Sequence, residues 1–196
     1  MKKILIPFVL IFAFFVAKAD SPLTSTEFFR GYMDNEMVLA AQSANGEITE
    51  AIMEYLWKKN PVDEKMAVIN ALGWTFEGQG NYEKYRAYLD KHGMKKKQRK
   101  AENLLALAYL KALDNYFECT DALAMAKQAL SMNPESYTFN IIHGLIKAQV
   151  EFDVNWCNVY KATDDVRKNT ALDQDMRGDA IDMIFDYMDS YKADCE

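Results

Sequence analysis

The chain has 196 residues, half of them hydrophobic, with 23 Lys and Arg against 29 Asp and Glu and a formal net charge of −6. A polypeptide this acidic will not hold nucleic acid by general electrostatics, which needs a basic surface to displace counterions from phosphate. Three cysteines at wide spacings (Cys119, Cys157, Cys195) and two histidines (His92, His143) build no zinc pattern.

The first element in chain order has the form of an export signal. Lys2 and Lys3 give a positive start. Ile4 to Ala17 is uncharged and rich in Phe, Ile, Leu and Val. Ala17-Lys18-Ala19 is a small-x-small site, and Asp20-Ser21-Pro22 opens a polar stretch. The apolar run is shorter than the roughly 20 residues a membrane-spanning helix needs. No Cys follows the cleavage site, which disfavours a lipoprotein, and no later stretch is apolar enough to cross a membrane. The expectation is therefore a signal peptide over residues 1–19 and a mature domain over 20–196. The mature protein would be periplasmic or secreted, with no membrane insertion after cleavage. Cleavage removes Lys2, Lys3 and Lys18, so 20 basic residues face 29 acidic ones in the remaining 177. A chain of that length can bury about 70% of its surface in one domain or a short repeat array.

Over the whole chain Gly and Pro are scarce, at 8 and 4, and strand-like alternation is absent. Apolar positions recur at three and four residues, the helical period. Breakers cut this pattern at Asn45-Gly46, Asn60-Pro61, Gly78-Gln79-Gly80-Asn81, His92-Gly93, Asp114-Asn115 and Asn133-Pro134. The spacing predicts helices over 25–43, 47–59, 62–77, 82–92, 97–113, 119–132, 135–150, 154–168 and 172–192. Short loops between them predict antiparallel hairpins. The basic cluster Lys95, Lys96, Lys97, Arg99 and Lys100 reads as the solvated start of a helix.

The hairpins repeat weakly. Leu72, Leu107 and Ile142 are 35 residues apart each time, with Met37 continuing the series backwards. Leu72, Gly73, Phe76, Gly80, Asn81 and Tyr82 resemble the first half of a tetratricopeptide repeat. Ala122, Ala126, Ala129, Leu130, Asn133 and Pro134 resemble its second half. Small residues at Gly73, Ala108, Ala122 and Ala129 would let helices approach, and Leu72, Phe76, Leu107 and Ile142 would fill the gaps. The resemblance covers residues 25–168 as four degenerate repeats. The first and fourth depart from the pattern, and His143 stands where a small residue belongs. The implied fold is all-α, an α-solenoid of about four tetratricopeptide-like (TPR-like) hairpins with a C-terminal capping helix. In that cap, Leu172, Met176, Ala180, Ile184, Tyr187, Met188 and Tyr191 form an apolar stripe and six Asp occupy other faces.

No catalytic signature is present: no G-x-S-x-G, no H-E-x-x-H and no phosphate loop. His92, beside Gly93 at a helix end, is placed to meet terminal carbonyls. The Asp spacing of the last helix lacks the glycine-turned loop of a calcium site. The chain thus reads as a binding module with no enzymatic site, no cofactor and no metal, whose partner is a protein or peptide. The resemblance implies binding in a groove lined by the first helices of the hairpins. Asn35, Asn70 and Asn140 share a 35-residue register, with Leu105 in the missing slot, at the offset that faces the groove in this family. A side-chain amide can pair with peptide backbone of any sequence. Trp74 and Tyr109, at a second groove-facing offset, would supply apolar anchors. Two other readings stand beside this one: a structural subunit of an envelope assembly, and a glycan-binding or glycan-processing protein using surface aromatics. An oxidising compartment permits one disulfide. Cysteines at equal places in neighbouring hairpins stand about one helix spacing apart, too far for a bridge. Cys119 and Cys157 are therefore expected to stay unbonded to each other, with Cys195 on a tail that can reach a neighbour or another chain.

Overall fold

The computed structural model describes residues 21–93 and 100–195. The expected signal over 1–19 and the basic residues Lys95, Lys96, Lys97 and Arg99 lie outside the described residues. Within them the protein is all-helical, as the periodicity predicts, and the one β-type contact is an isolated bridge between Ser136 and Asp173. A 3-10 helix, Phe28–Tyr32, comes first. It is followed by α1 (Glu36–Gln42), α2 (Glu50–Trp57), α3 (Val62–Leu72), α4 (Asn81–Lys91), α5 (Ala101–Asp114), α6 (Thr120–Met132), α7 (Tyr137–Glu151), α8 (Trp156–Lys168) and α9 (Gly178–Met188). A second 3-10 helix, Asp189–Cys195, closes the chain.

Three boundaries differ from the sequence expectation, each for a local reason. The helix expected over 25–43 is broken because Asn35 starts a new one: its backbone is extended and its side chain accepts the Met37 N–H at 2.9 Å. The helix expected to reach residue 77 stops at Leu72, because Gly73 turns to φ +73°. Gly73 is therefore a stop signal and not a close-packing residue: a Cβ built on it would meet nothing within 4 Å. Phe76, expected to fill the core, falls in the loop beyond and is 62% exposed. The last helix starts at Gly178, not 172, because the preceding segment is tied to the start of α7. Asp173 pairs its backbone with Glu135 and Tyr137, and the Asp175 carboxylate accepts from Ser136 Oγ at 2.5 Å and Thr138 N–H at 2.8 Å.

The helices α5, α6, α7 and α8 each pack on the next, α4 packs on α5, and α3 reaches across to α5 and α7. The packing uses small residues. Ala106, Ala108, Ala112, Ala122, Ala126 and Ala129 are fully buried. Gly144 on α7 lies so close to α8 that a Cβ there would be 2.6 Å from the Ala162 carbonyl oxygen. Neighbouring loops contact one another at separations of 33 to 35 residues. Asn81 accepts the Ile48 N–H at 2.9 Å and donates to the Gly46 carbonyl at 2.7 Å, 33 and 35 residues back. Asp114 in turn accepts the Gln79 and Tyr82 N–H groups, and a Cβ on Gly78 would stand 2.3 Å from its carbonyl oxygen.

The two ends of the described chain meet. Helix α9 packs on the first 3-10 helix, so closely that a Cβ on Gly31 would come within 3.0 Å of the Ala180 nitrogen. The apolar stripe expected of the last helix is there, with Ala180, Ile184 and Met188 fully buried, but it covers the N-terminal segment as well as α8. A disulfide, Cys157–Cys195 with Cα atoms 4.7 Å apart, pins the C-terminal 3-10 helix to α8. Cys119 is free and buried, so Cys119 and Cys157 are unbonded to each other, as expected. Among the described residues no helix is long and apolar enough to cross a membrane.

Candidate interaction surfaces

Three of the five residues singled out for a groove converge on one place. Asn70 on α3 is buried, and its Nδ2 donates to Tyr109 Oη on α5 at 2.9 Å. Trp74 lies just past the end of α3 beside them. The face they form is covered by the chain's own N-terminal segment. Asn70 Oδ1 accepts the Phe29 N–H at 3.0 Å and Nδ2 donates to the Thr26 carbonyl at 3.1 Å. Phe28 stacks on the Tyr109 ring with centroids 6.4 Å apart. On α7, Gln149 Oε1 lies 3.5 Å from the Leu23 nitrogen. Leu23, Phe28 and Tyr32 are buried to within about 1%. Burial raises the Tyr109 hydroxyl above the ordinary phenol range, against the lowering hydrogen bond from Asn70.

The asparagine ladder does not form. Asn35 is the N-cap of α1 and gives its Nδ2 to Tyr55 Oη and Glu64 Oε2, both at 2.9 Å. Asn140, near the start of α7, donates to the Pro134 and Ser136 carbonyls. A shared 35-residue register places these side chains at like positions in sequence, but each is consumed by a different local task. Asn70 and Tyr109 are closed to an outside partner by residues 26–29, so the groove expected to be open is filled.

Exposed aromatic surface adjoins this face, past the ends of α3 and α5 and at the start of α8. Trp74, Phe76, Tyr116 and Phe117 form one cluster: Trp74 meets Phe76 and Tyr116 edge-on at 5.0 and 4.9 Å, and Phe76 stacks with Phe117 at 6.3 Å. Phe76 and Phe117 are 62% and 69% exposed. Beside Phe117 opens a pocket of about 290 Å³ between Ser21 of the N-terminal segment, the α5–α6 loop and the end of α7, lined also by Tyr116, Cys119, Gln149, Val150 and Phe152. Val154 and Trp156, which follow Phe152 in the chain, are 78% and 54% exposed, with the Trp156 indole N–H bonded to the Phe152 carbonyl. The sequence signal for part of this edge was a large aromatic residue beside two of the breakers, Phe76 before Gly78 and Phe117 after Asp114-Asn115; no breaker marked Trp156.

The buried polar groups serve closure. Tyr32 Oη donates to Asp63 Oδ2 at 2.8 Å and accepts the Arg177 N–H at 3.3 Å, while Tyr55 Oη donates to Glu64 at 2.7 Å. Burial raises the Asp63 carboxyl above its ordinary value and pushes Tyr55 up to about 12. These groups join the N-terminal segment, α1, α2, α3 and the turn before α9, and they present no nucleophile paired with a base. His92 caps α4, with Nδ1 2.8 Å from the Tyr88 carbonyl oxygen and its ring between Tyr88 and Trp57. Among the described residues no group of three His, Cys, Asp or Glu is placed to hold a metal ion. No family model, curated protein or solved structure matches the chain.

Proposed function

We propose that this is an exported, non-enzymatic interaction module: an α-solenoid of TPR-like hairpins that docks a protein partner through the aromatic edge at Phe76, Phe117 and Trp156. The observation that carries it is the exposed aromatic pair Phe76 and Phe117 beside a pocket, with exposed Trp156 at the start of α8 bonded to the Phe152 that lines it. Monomeric soluble proteins seldom present contiguous apolar surface of this kind without a use for it, and aromatic anchors beside a pocket are the usual centre of a protein interface. The filled α3–α5–α7 face argues for the edge over a groove. The solenoid reading is supported by loop contacts at 33- to 35-residue separations. The export reading is supported by the Cys157–Cys195 bridge, which persists in oxidising compartments.

Photo-crosslinking in the native envelope tests this. A photoreactive residue in place of Phe117 should yield a discrete crosslinked species, and the same probe at exposed Asp165 on α8 should not. Equal crosslinking at both positions, or none at Phe117, contradicts the assignment.

A further inference from the structure

Asn70 recognises main chain, not side chains. Its one carboxamide serves both an N–H, that of Phe29, and a C=O, that of Thr26, which is how a side-chain amide holds a peptide whatever its sequence. Gln149 faces the Leu23 nitrogen in the same sense. Neither contact depends on the segment being covalently joined to the rest of the fold.

Beside the segment a surface cleft of about 300 Å³ opens against α3, lined by Leu23, Phe29, Asn70, Ala71, Trp74 and Leu113. The link to the rest of the chain is short and solvated: Met33 and Asp34 are exposed and non-helical. From the other side Arg177 clasps the same stretch, with Nη1 bonded to the Gly31 carbonyl at 3.2 Å and the guanidinium 4.5 Å from the Tyr32 ring centroid.

We infer that the α3–α5–α7 face is a peptide site, that Ser21–Tyr32 is its resident ligand in cis, and that the same segment of a second copy takes the seat in trans, joining two copies. The second copy is the occupant because its segment presents the backbone atoms Asn70 reads and the Leu23, Phe28 and Phe29 side chains the seat accepts. Exchange of an identical element through a short exposed link is a low-cost route to a dimer. The seat adjoins the aromatic edge, since Trp74 lines its open pocket and Ser21 and Gln149 also line the pocket beside Phe117; segment exchange and partner crosslinking are read separately, so either can fail without the other.

The test uses the full mature chain with a protease site inserted between Met33 and Asp34, nicked after folding. The nicked protein should keep its helical signal and carry the segment through gel filtration. It should then release the segment to excess labelled peptide spanning residues 20–33. Asn70→Leu should lower retention of the labelled peptide by about tenfold or more, since it removes two backbone hydrogen bonds at constant bulk. Loss of helix on nicking, a resident segment that never exchanges, or equal retention by Asn70→Leu would overturn the inference. A second measurement needs no insertion: concentrated Arg177→Ala protein, with the clasp removed, should show several times the dimer fraction of the parent by light scattering. A variant that stays monomeric at every concentration rules out exchange between copies.

Discussion

Arg177 and Asp34, 143 residues apart in sequence, form an ion pair at 2.5 Å. The pair sits where the turn before α9 meets the end of the N-terminal segment. It is solvent-exposed, and the attraction shows as an Asp34 carboxyl lowered from its ordinary value by the Arg177 hydrogen bond. Its importance is positional. The same guanidinium bonds the Gly31 carbonyl and lies over the Tyr32 ring, so one side chain fastens the start of α9 to the first 3-10 helix. The two ends of the described chain are joined by this contact, with apolar residues of α9 buried on the N-terminal segment.

The cysteines give a direct chemical prediction. Cys157 and Cys195 are bridged, while Cys119 is buried and its thiol is pushed up to about 12 by burial and by Glu118. Thiol titration of the mature, unreduced protein should find no reactive thiol while folded and one per chain in denaturant. Reducing the bridge, which closes a loop of 38 residues, should cost about 2–4 kcal/mol by the loop-entropy relation, towards the lower figure because the tail is exposed. Three free thiols in denaturant, or a mapped peptide linking Cys119 to Cys157, would refute the pairing.

Lys65 is buried, its side chain 1% exposed, and it reaches Glu102 Oε2 at 2.6 Å across the α3–α5 contact. Glu102→Ala leaves a buried ammonium without this carboxylate. The expected loss is about 2–3 kcal/mol, at the low end for broken buried pairs because Glu102 is itself partly solvated. Combining it with Lys65→Met should recover most of that loss. A double variant no more stable than Glu102→Ala would show that the pair is not what costs.

Acidification should act through His143. Burial lowers its imidazole below 6.5, helped by Lys147 and Lys127. The unfolded chain therefore takes up this proton before the folded one does, and stability falls as pH drops through 6.5. His143→Gln should flatten this part of the pH–stability curve. An unchanged slope between the variant and the parent below pH 6.5 would exclude His143 as its source.

Close packing is tested at Gly144. A Cβ there would stand 2.6 Å from the Ala162 carbonyl oxygen, which is backbone and cannot rotate away. Gly144→Ala should force α7 and α8 apart and cost about 1–3 kcal/mol, whereas Gly73→Ala, with open space around it, should suffer from its positive φ alone. Denaturant unfolding of the two variants separates clash from backbone strain.

The helical class and most helix ends were legible in the sequence because apolar spacing and breakers are local signals. Gln79 and Asn81 bond back to the carbonyls of Asn45 and Gly46, 34 and 35 residues earlier. The destination of residues 21–32 was not legible. Phe28 and Phe29 read as part of an ordinary first helix and Leu23 as the stretch before it, and nothing in their spacing reveals that the segment lies across α3, α5 and α7. Asn70 and Tyr109 were found by register, but the offset argument could not say that the peptide they hold belongs to the same chain. Phe76 was misread because a single glycine, Gly73, ends the helix one turn earlier than the apolar pattern does.

The aromatic edge carries the functional account, and Phe76 and Phe117 are its most exposed members of one stacked cluster. The decisive measurement is the affinity of the crosslinked partner for Phe76→Ser/Phe117→Ser protein, read together with the thermal midpoint. The account predicts loss of at least about tenfold in affinity, as truncating interface anchors usually brings. The midpoint should stay nearly constant, because exposed positions seldom change stability by more than about 0.5 kcal/mol. Unchanged affinity in a folded double variant would contradict the edge as the docking surface.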